Sequence, residues 1–175
     1  LDRCGWCRKK IAVVGVGNIL MGDEGVGIEV VKRLEELPGI GAGCDCIEII
    51  DAGSGFLNIV SGLREYDKII IVDAVHGGEA PGTVYRFRFE DVEGRRAPDL
   101  SLHDFGVFES IQLERLVAPL PEDIVFYGVE PHSVRLSMEL SDVVGAKVGY
   151  VVERIVEELN GRAADSGKED HSGKL

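Results

Sequence analysis

Two apolar runs constrain this chain more than any other feature. Lys10 to Val16 and Lys68 to Asp73 are almost continuously apolar between a lysine at the start and glycine or aspartate at the end. A strand with one wet face alternates apolar and polar side chains; a run that does not alternate belongs to a strand covered on both faces. Between the two runs, Val26, Val30, Leu34 and Leu37 recur at helical spacing with Val31 beside them, and Pro38-Gly39 stops that helix. Cys46 to Ile50 reads as another strand, Asp51-Ala52-Gly53-Ser54-Gly55 as a turn and Phe56 to Leu63 as a short helix. The order strand, helix, strand, helix, strand implies right-handed crossovers and a parallel sheet with helices on both faces. The fold class is α/β, a three-layer α/β/α sandwich.

The middle of the chain departs from this pattern. His76 to Gly82 is a glycine-rich loop. Val84, Tyr85, Phe87 and Phe89 with Arg86 and Arg88 between them give a strand with one wetter face, expected at an antiparallel edge. Glu90 to Leu100 is polar, with Gly94 and Pro98, and reads as a surface loop. Asp104 to Val117 is expected to be a helix and Asp123 to Val129 a strand, after which Glu130-Pro131-His132-Ser133 turns away. Ser141 is a candidate N-cap for a long helix with Val144, Val148, Val151, Val152, Ile155 and Leu159 on one face. One domain over residues 10–160 results, with 1–9 and 161–175 as tails expected to be mobile.

Composition excludes several function classes. The 175 residues suffice for one core, and the net charge of −12 disfavours nucleic acid as a partner, because phosphate binding needs a basic surface. No run approaches the apolar length of a membrane span, and the start lacks the form of a signal peptide, so the expectation is a cytoplasmic protein with no membrane partner. Cys4-x-x-Cys7 and Cys44-x-Cys46 can be drawn as two halves of a zinc site. Cys4 and Cys7 precede the first strand, however, and the favoured reading is incidental or weakly structural thiols.

The chemistry-bearing residues gather after strands. Gly15-Val16-Gly17 resembles the opening of a dinucleotide fingerprint, but Leu20 stands where its third glycine belongs. Asp23 and Glu24 then occupy the helix start where a pyrophosphate would need positive dipole and free N–H groups. Asp51 lies too far along to serve as the ribose-binding acid, and no Gly-Lys-Ser/Thr follows. Helix capping suits Asp23 better than Glu24. Gly17, Gly22, Gly25 and Gly27 permit tight turns and close approach of a substrate chain, and Asn18 can hydrogen-bond across the loop. Glu24, Asp73 at the end of its strand, and His103 in Ser-Leu-His-Asp-Phe-Gly each sit at or just beyond a strand's carboxyl end. Such ends face one crevice in an open α/β sheet. Two carboxylates and an imidazole form an open site for a borderline divalent metal. His76 is a rival ligand, and His132 is expected on the surface near the crevice. Ser54 and Ser101 lie in candidate loops, but no Ser-His-Asp or Cys-His pattern emerges.

Taken in order, Gly-Val-Gly-Asn-Ile-Leu-Met-Gly-Asp-Glu-Gly-Val-Gly, Val-Asp-Ala, Pro-Gly-Thr, Ser-Leu-His-Asp-Phe-Gly and Gly-Val-Glu-Pro make the chain resemble the [NiFe]-hydrogenase maturation endopeptidases over about Lys10 to Leu159. The resemblance implies a twisted, mostly parallel five-stranded sheet between helices. It places the family's three nickel ligands on Glu24, Asp73 and His103. It also implies removal of the C-terminal extension from the precursor of a hydrogenase large subunit, after a His or Arg, with nickel supplied by that precursor. The catalytic candidates are Asp73 and Glu24. Either nickel polarises the scissile carbonyl or activates water, or a carboxylate, Asp73 or Asp23, acts as general base. Gly17, Asn18, Asp23, Asp51 and Gly53 are the candidate substrate contacts. The Asp51 to Gly55 turn is slightly shorter than the common family form, and the cysteine-bearing start and charged end lie outside the family pattern. Two other readings stand beside this one: a non-cleaving chaperone for nickel or a hydrogenase subunit, and a nucleotide-dependent enzyme.

Overall fold

The computed structural model describes residues 9–40, 46–92 and 106–161. Five strands form one sheet in the order β2-β1-β3-β5-β4. They are β1 (Ile11–Val16), β2 (Ile47–Gly53), β3 (Lys68–Ala74), β4 (Val84–Arg88) and β5 (Asp123–Val129). β1 runs parallel to β2 and β3, and β3 parallel to β5, while β4 lies antiparallel to β5 at the edge. The mostly parallel sheet with one antiparallel edge strand is therefore as the sequence indicates.

The alternation of side chains across β1, β3 and β5 divides the core in two. Ile11, Val13, Ile70, Val72, Val125 and Tyr127 meet α1 (Val26–Glu35) and α5 (Asp142–Leu159) on one face. Val14, Ile69, Ile71, Ile124 and Phe126 meet α2 (Phe56–Ile59), the 3-10 segment Val60–Glu65, α3 (Phe89–Val92) and α4 (Val107–Val117) on the other. All residues of β1 and β3 are buried, which is why neither strand shows a polar period in sequence. At the strands' starting end, Glu158 of α5 accepts from Lys68 Nζ at 2.6 Å and from Arg86 Nε and Nη2 at 2.9 and 2.8 Å. That ionic cluster fixes the end of α5 across β3 and β4, and its Lys68 stands at the opposite end of β3 from Asp73.

Several expectations shift in detail. β2 continues through Asp51 to Gly53, where a turn was expected, because Asp51 still pairs with Gly15 and, after a register shift, Gly53 with Val16. The loop expected from Glu90 begins instead as α3, whose start is held by Asp91 Oδ2 accepting from Arg88 N–H at 2.9 Å. The helix expected from Asp104 starts at Val107, since Gly106 is extended and takes the N-cap position. Ser141 is the N-cap of α5 by backbone conformation, yet its hydroxyl makes no cap bond. Cys46 is half-buried against the core at the start of β2. The expectations for Cys4, Cys7, Cys44, Ser101, His103, residues 93–100 and the terminal segments lie outside the described residues.

α1 rides unusually close to the sheet. A Cβ on Gly27 would stand 2.2 Å from the Val16 carbonyl oxygen and 2.3 Å from that of Val72. Both are backbone atoms, so neither can swing aside. Gly27→Ala is expected to cost about 3 kcal/mol or more in urea unfolding, at the upper end of overpacking effects. Gly149, exposed on α5 with nothing within 4 Å of its would-be Cβ, is the contrasting site. There Gly→Ala should stabilise by roughly 0.5–1 kcal/mol through helix propensity and a less free unfolded chain.

Candidate active site at the β1–β3 crevice

The strand order reverses between β1 and β3: β2 lies on one side of β1, and β3 with β5 on the other. The connection through α1 covers one face and that through α2 the other. The chain leaves β1 for α1 and leaves β3 by the loop 75–83 toward β4, so a crevice opens at the carboxyl ends of β1 and β3, the usual ligand position in an open α/β sheet. Glu24 and Asp73 enter this crevice from its two walls.

Glu24 lies in the 3-10 turn Gly22–Gly25 that joins the β1 loop to α1. Its backbone is held close by Gly17, whose φ is 140° and whose would-be Cβ would fall 1.8 Å from the Glu24 carbonyl oxygen. A side chain at position 17 would thus displace Glu24. Asn18 Oδ1 accepts from Leu20 N–H at 3.0 Å, and the Asn18 carbonyl accepts from Met21 N–H at 3.0 Å, so Asn18 shapes the same loop. Gly17 N–H donates to the Gly53 carbonyl at 2.9 Å, tying this loop to the end of β2. Asp51 is exposed there, and its Oδ1 accepts from Gly53 N–H at 2.9 Å.

Asp73, at the end of β3, is 8% exposed, and Glu24 only 5%. Burial pushes the Asp73 carboxyl up from its ordinary 3.8 to about 7; the Ala74 N–H at 2.8 Å opposes the rise and the Glu24 carboxylate adds to it. A buried carboxyl whose ionisation is opposed by burial and by a neighbouring carboxylate forms a site that a proton or a cation relieves. Among the described residues no third metal-binding side chain joins them. His103, the expected imidazole, belongs to the segment ahead of α4 and lies outside the described residues. His76 is half-buried, with Nδ1 3.9 Å from Glu130 Oε1. His132 is exposed, as expected.

Asp23 has a task in the fold beside the capping, substrate contact and general-base roles read from sequence. It is fully buried. Its Oδ2 accepts from His132 N–H, Ser133 N–H and Ser141 Oγ–H, each at 2.9 Å, and its Oδ1 from Ser141 N–H at 2.7 Å. Burial alone would raise the Asp23 carboxyl, but these donors, led by Ser141, hold it below the usual value. The carboxylate fastens both ends of the segment 132–141 to the residue beside Glu24. Sequence reading also passed over Glu130, which is buried in the continuation of β5. Its Oε2 accepts from Gly77 N–H at 2.7 Å and from Tyr85 O–H at 2.5 Å, bracing the loop that follows Asp73. A glutamate closing an apolar strand was the available signal for it.

Asp73 has a measurable consequence for stability. A carboxyl held above its unfolded value keeps a proton in the native state that the unfolded chain has released. Stability of the metal-free protein should therefore fall as pH rises from about 4 to about 7. Asp73→Asn removes that slope and should raise stability at pH 7 by on the order of 3 kcal/mol. Denaturant unfolding of both proteins at several pH values in this window checks it.

Comparison with known proteins agrees with this geometry. Residues 28–158 match the family model of hydrogenase maturation proteases, HycI. The chain is 30% identical over 154 residues to the hydrogenase 2 maturation protease of Escherichia coli, covering 86% of this chain and 90% of that one. It is 31% identical over 160 residues to the coenzyme F420 hydrogenase subunit delta of Methanothermobacter thermautotrophicus, covering 86% and 94%. Among solved structures it resembles the hydrogenase maturating endopeptidase HybD from E. coli, with a TM-score of 0.77 and 29% identity over 87% of this chain and 93% of the other. The chain belongs to the hydrogenase maturation protease family, whose members are hydrolases of the endopeptidase class.

Proposed function

We propose that the chain is a nickel-dependent endopeptidase that removes the C-terminal extension of a [NiFe]-hydrogenase large-subunit precursor after its metal centre has been inserted. The observation that carries this reading is the meeting of Glu24 and Asp73, both buried and electrostatically coupled, at the switch-point crevice. Nickel arrives with the precursor and is part of the substrate. Carboxylate and imidazole donors suit a borderline divalent ion and hold it less firmly than thiolates on the precursor. Glu24, Asp73 and His103 therefore share the ion without extracting it, and its presence admits the precursor. When shared, nickel supplies Lewis acidity for attack on the scissile carbonyl.

The reaction is hydrolysis: water adds to the carbonyl carbon, the C–N bond breaks, and the departing amine takes a proton. Where Asp73 is free of the ion, its carboxyl, pushed up to about 7 by burial, can exchange that proton near neutral pH. Gly17 and Asn18 set the loop against which the substrate chain lies, while Asp51 and Gly53 form the opposite lip at the end of β2. Asp23 keeps the wall of the crevice in place. Among the described residues no helix is long and apolar enough to cross a membrane, and the acidic charge agrees with a protein rather than a nucleic-acid substrate.

Intact-mass measurement of the precursor gives the direct test. Incubation of nickel-loaded precursor with the wild type should release one discrete C-terminal peptide, and nickel-free precursor should stay whole. Glu24→Gln and Asp73→Asn should each slow release by about a hundredfold or more. Tight binding of loaded precursor by the wild type without cleavage would replace the protease with a chaperone. A second measurement needs no partner. Nickel or cadmium should stabilise the wild type against heat by about 2.7 kcal/mol at a hundredfold excess over Kd. Glu24→Gln should lose that response, and dinucleotides should produce none. Stabilisation by dinucleotides alone would refute the metal site.

A further inference from the structure

Segment 132–141 is built more firmly than a connection between β5 and α5 requires. Besides the four bonds to Asp23, Ser137 N–H donates to the Leu20 carbonyl at 3.0 Å and the Ser137 carbonyl accepts from Gly22 N–H at 2.8 Å. Met21 and Ser137 thus form an isolated parallel bridge. Gly22, with φ of 62°, lies against the segment: a Cβ there would meet the carbonyl oxygens of Ser133 at 3.1 Å and Arg135 at 3.3 Å. Residues flanking a bridged pair point to the face opposite the pair. Met21 and Ser137 are half-buried, whereas their neighbours Leu20, Leu136 and Met138 are 50%, 83% and 77% exposed. Ile19 at 41% and Val134 at 36% extend the apolar surface.

Apolar side chains held in the open by a buried carboxylate constitute a surface prepared for contact. Its occupant follows from two further observations. The patch is anchored to the wall of the candidate active site, since the bonds that hold it end on Gly22 and Asp23, directly before Glu24. Its charge is also nearly balanced, with only Arg135 and Glu139 as oppositely charged residues within 132–141, on a chain of net charge −12. A second copy would bring two strongly acidic bodies together for a modest apolar contact.

We infer that Ile19, Leu20, Val134, Leu136 and Met138 form the docking surface for the folded body of the precursor, gripping an aliphatic patch beside its metal-bearing C-terminal segment. This rests on the protease reading and specifies how the substrate is held. The crevice recognises the metal, and the patch recognises the protein around it. Apolar contact of this kind contributes affinity with little dependence on salt, unlike steering by the acidic surface.

The test uses the full chain carrying Leu136→Ser and Met138→Ser together, with Leu116→Ser and Val117→Ser on α4 as the control. Leu116 and Val117 are 84% and 72% exposed, so both pairs should leave the core intact. Binding to immobilised nickel-loaded precursor and cleavage of the same precursor are measured in parallel. The patch variant should bind at least tenfold more weakly and show a KM raised to match, with kcat at saturation unchanged; the α4 control should equal the wild type. Wild-type affinity and KM in the patch variant would overturn the docking surface while leaving the protease reading intact. Binding without cleavage by the wild type, lost in the patch variant, would keep the surface and refute the protease. Sedimentation of a wild-type dimer that the patch variant abolishes, with precursor binding untouched, would assign the surface to a second copy and overturn the proposal.

Discussion

Burial of β1 and β3 on both faces is the constraint from which the site's position follows. A strand covered by helices on either side has no wet surface along its length. Carboxylates can therefore stand only where the strands end. From the carboxyl end of β1 the chain leaves for α1, and from that of β3 it leaves by the loop 75–83 for the β4 edge, so the two departures diverge. A crevice results from topology alone, before any functional side chain is considered. The opposite end of the sheet is closed by the Lys68, Arg86 and Glu158 cluster, in which every charge has an opposite partner. There the ions are compensated, whereas in the crevice the Glu24 carboxylate adds to the cost of ionising Asp73.

Holding Glu24 in that crevice requires the missing side chains of Gly17 and Gly27. Gly27 lets α1 settle on the Val16 and Val72 carbonyls, and Gly17 lets the chain double back over Glu24. Asp23 completes the arrangement from the other direction. One carboxylate with four donors binds the end of the β1 loop to the start and finish of segment 132–141. Adjacent acidic residues thus have separate tasks. Asp23 holds segment 132–141, and Glu24 stands at the crevice.

The sheet was legible because its signals are local. Unbroken apolar runs marked β1 and β3, and mixed polarity at Arg86 and Arg88 marked the β4 edge. Glu24 and Asp73 were legible as a pair because both follow such runs. The division of labour between Asp23 and Glu24 was not legible. It depends on donors more than a hundred residues further along the chain, and no spacing rule reaches that far. The extension of β2 through Asp51 failed for a related reason: a Gly- and Ser-containing stretch reads as a turn, but pairing with β1 overrides that propensity. Helix α4 begins later than its sequence suggests because Gly106 takes an extended conformation, which apolar periodicity does not encode.

On the proposed function, the cost of the crevice would explain how a weak ligand set can serve as a gate. Asp73 is pushed up to about 7 because burial removes water that would otherwise solvate its charge. In the absence of a cation the native state carries this penalty as reduced stability at neutral pH. On the proposed function, a divalent ion delivered by the substrate would remove it, so part of the recognition energy would come from relief of a cost already present in the protein. Carboxylate and imidazole donors need not compete with thiolates for possession of the metal; they need only be more stable beside it than without it. A precursor lacking its ion would offer no such relief, and after release of the extension the ion would leave with the product. On this account the buried pair reads the state of the substrate because the folded protein tolerates an unfavourable charge arrangement at this point, and the Asp23 clamp keeps the surrounding backbone from relaxing it away.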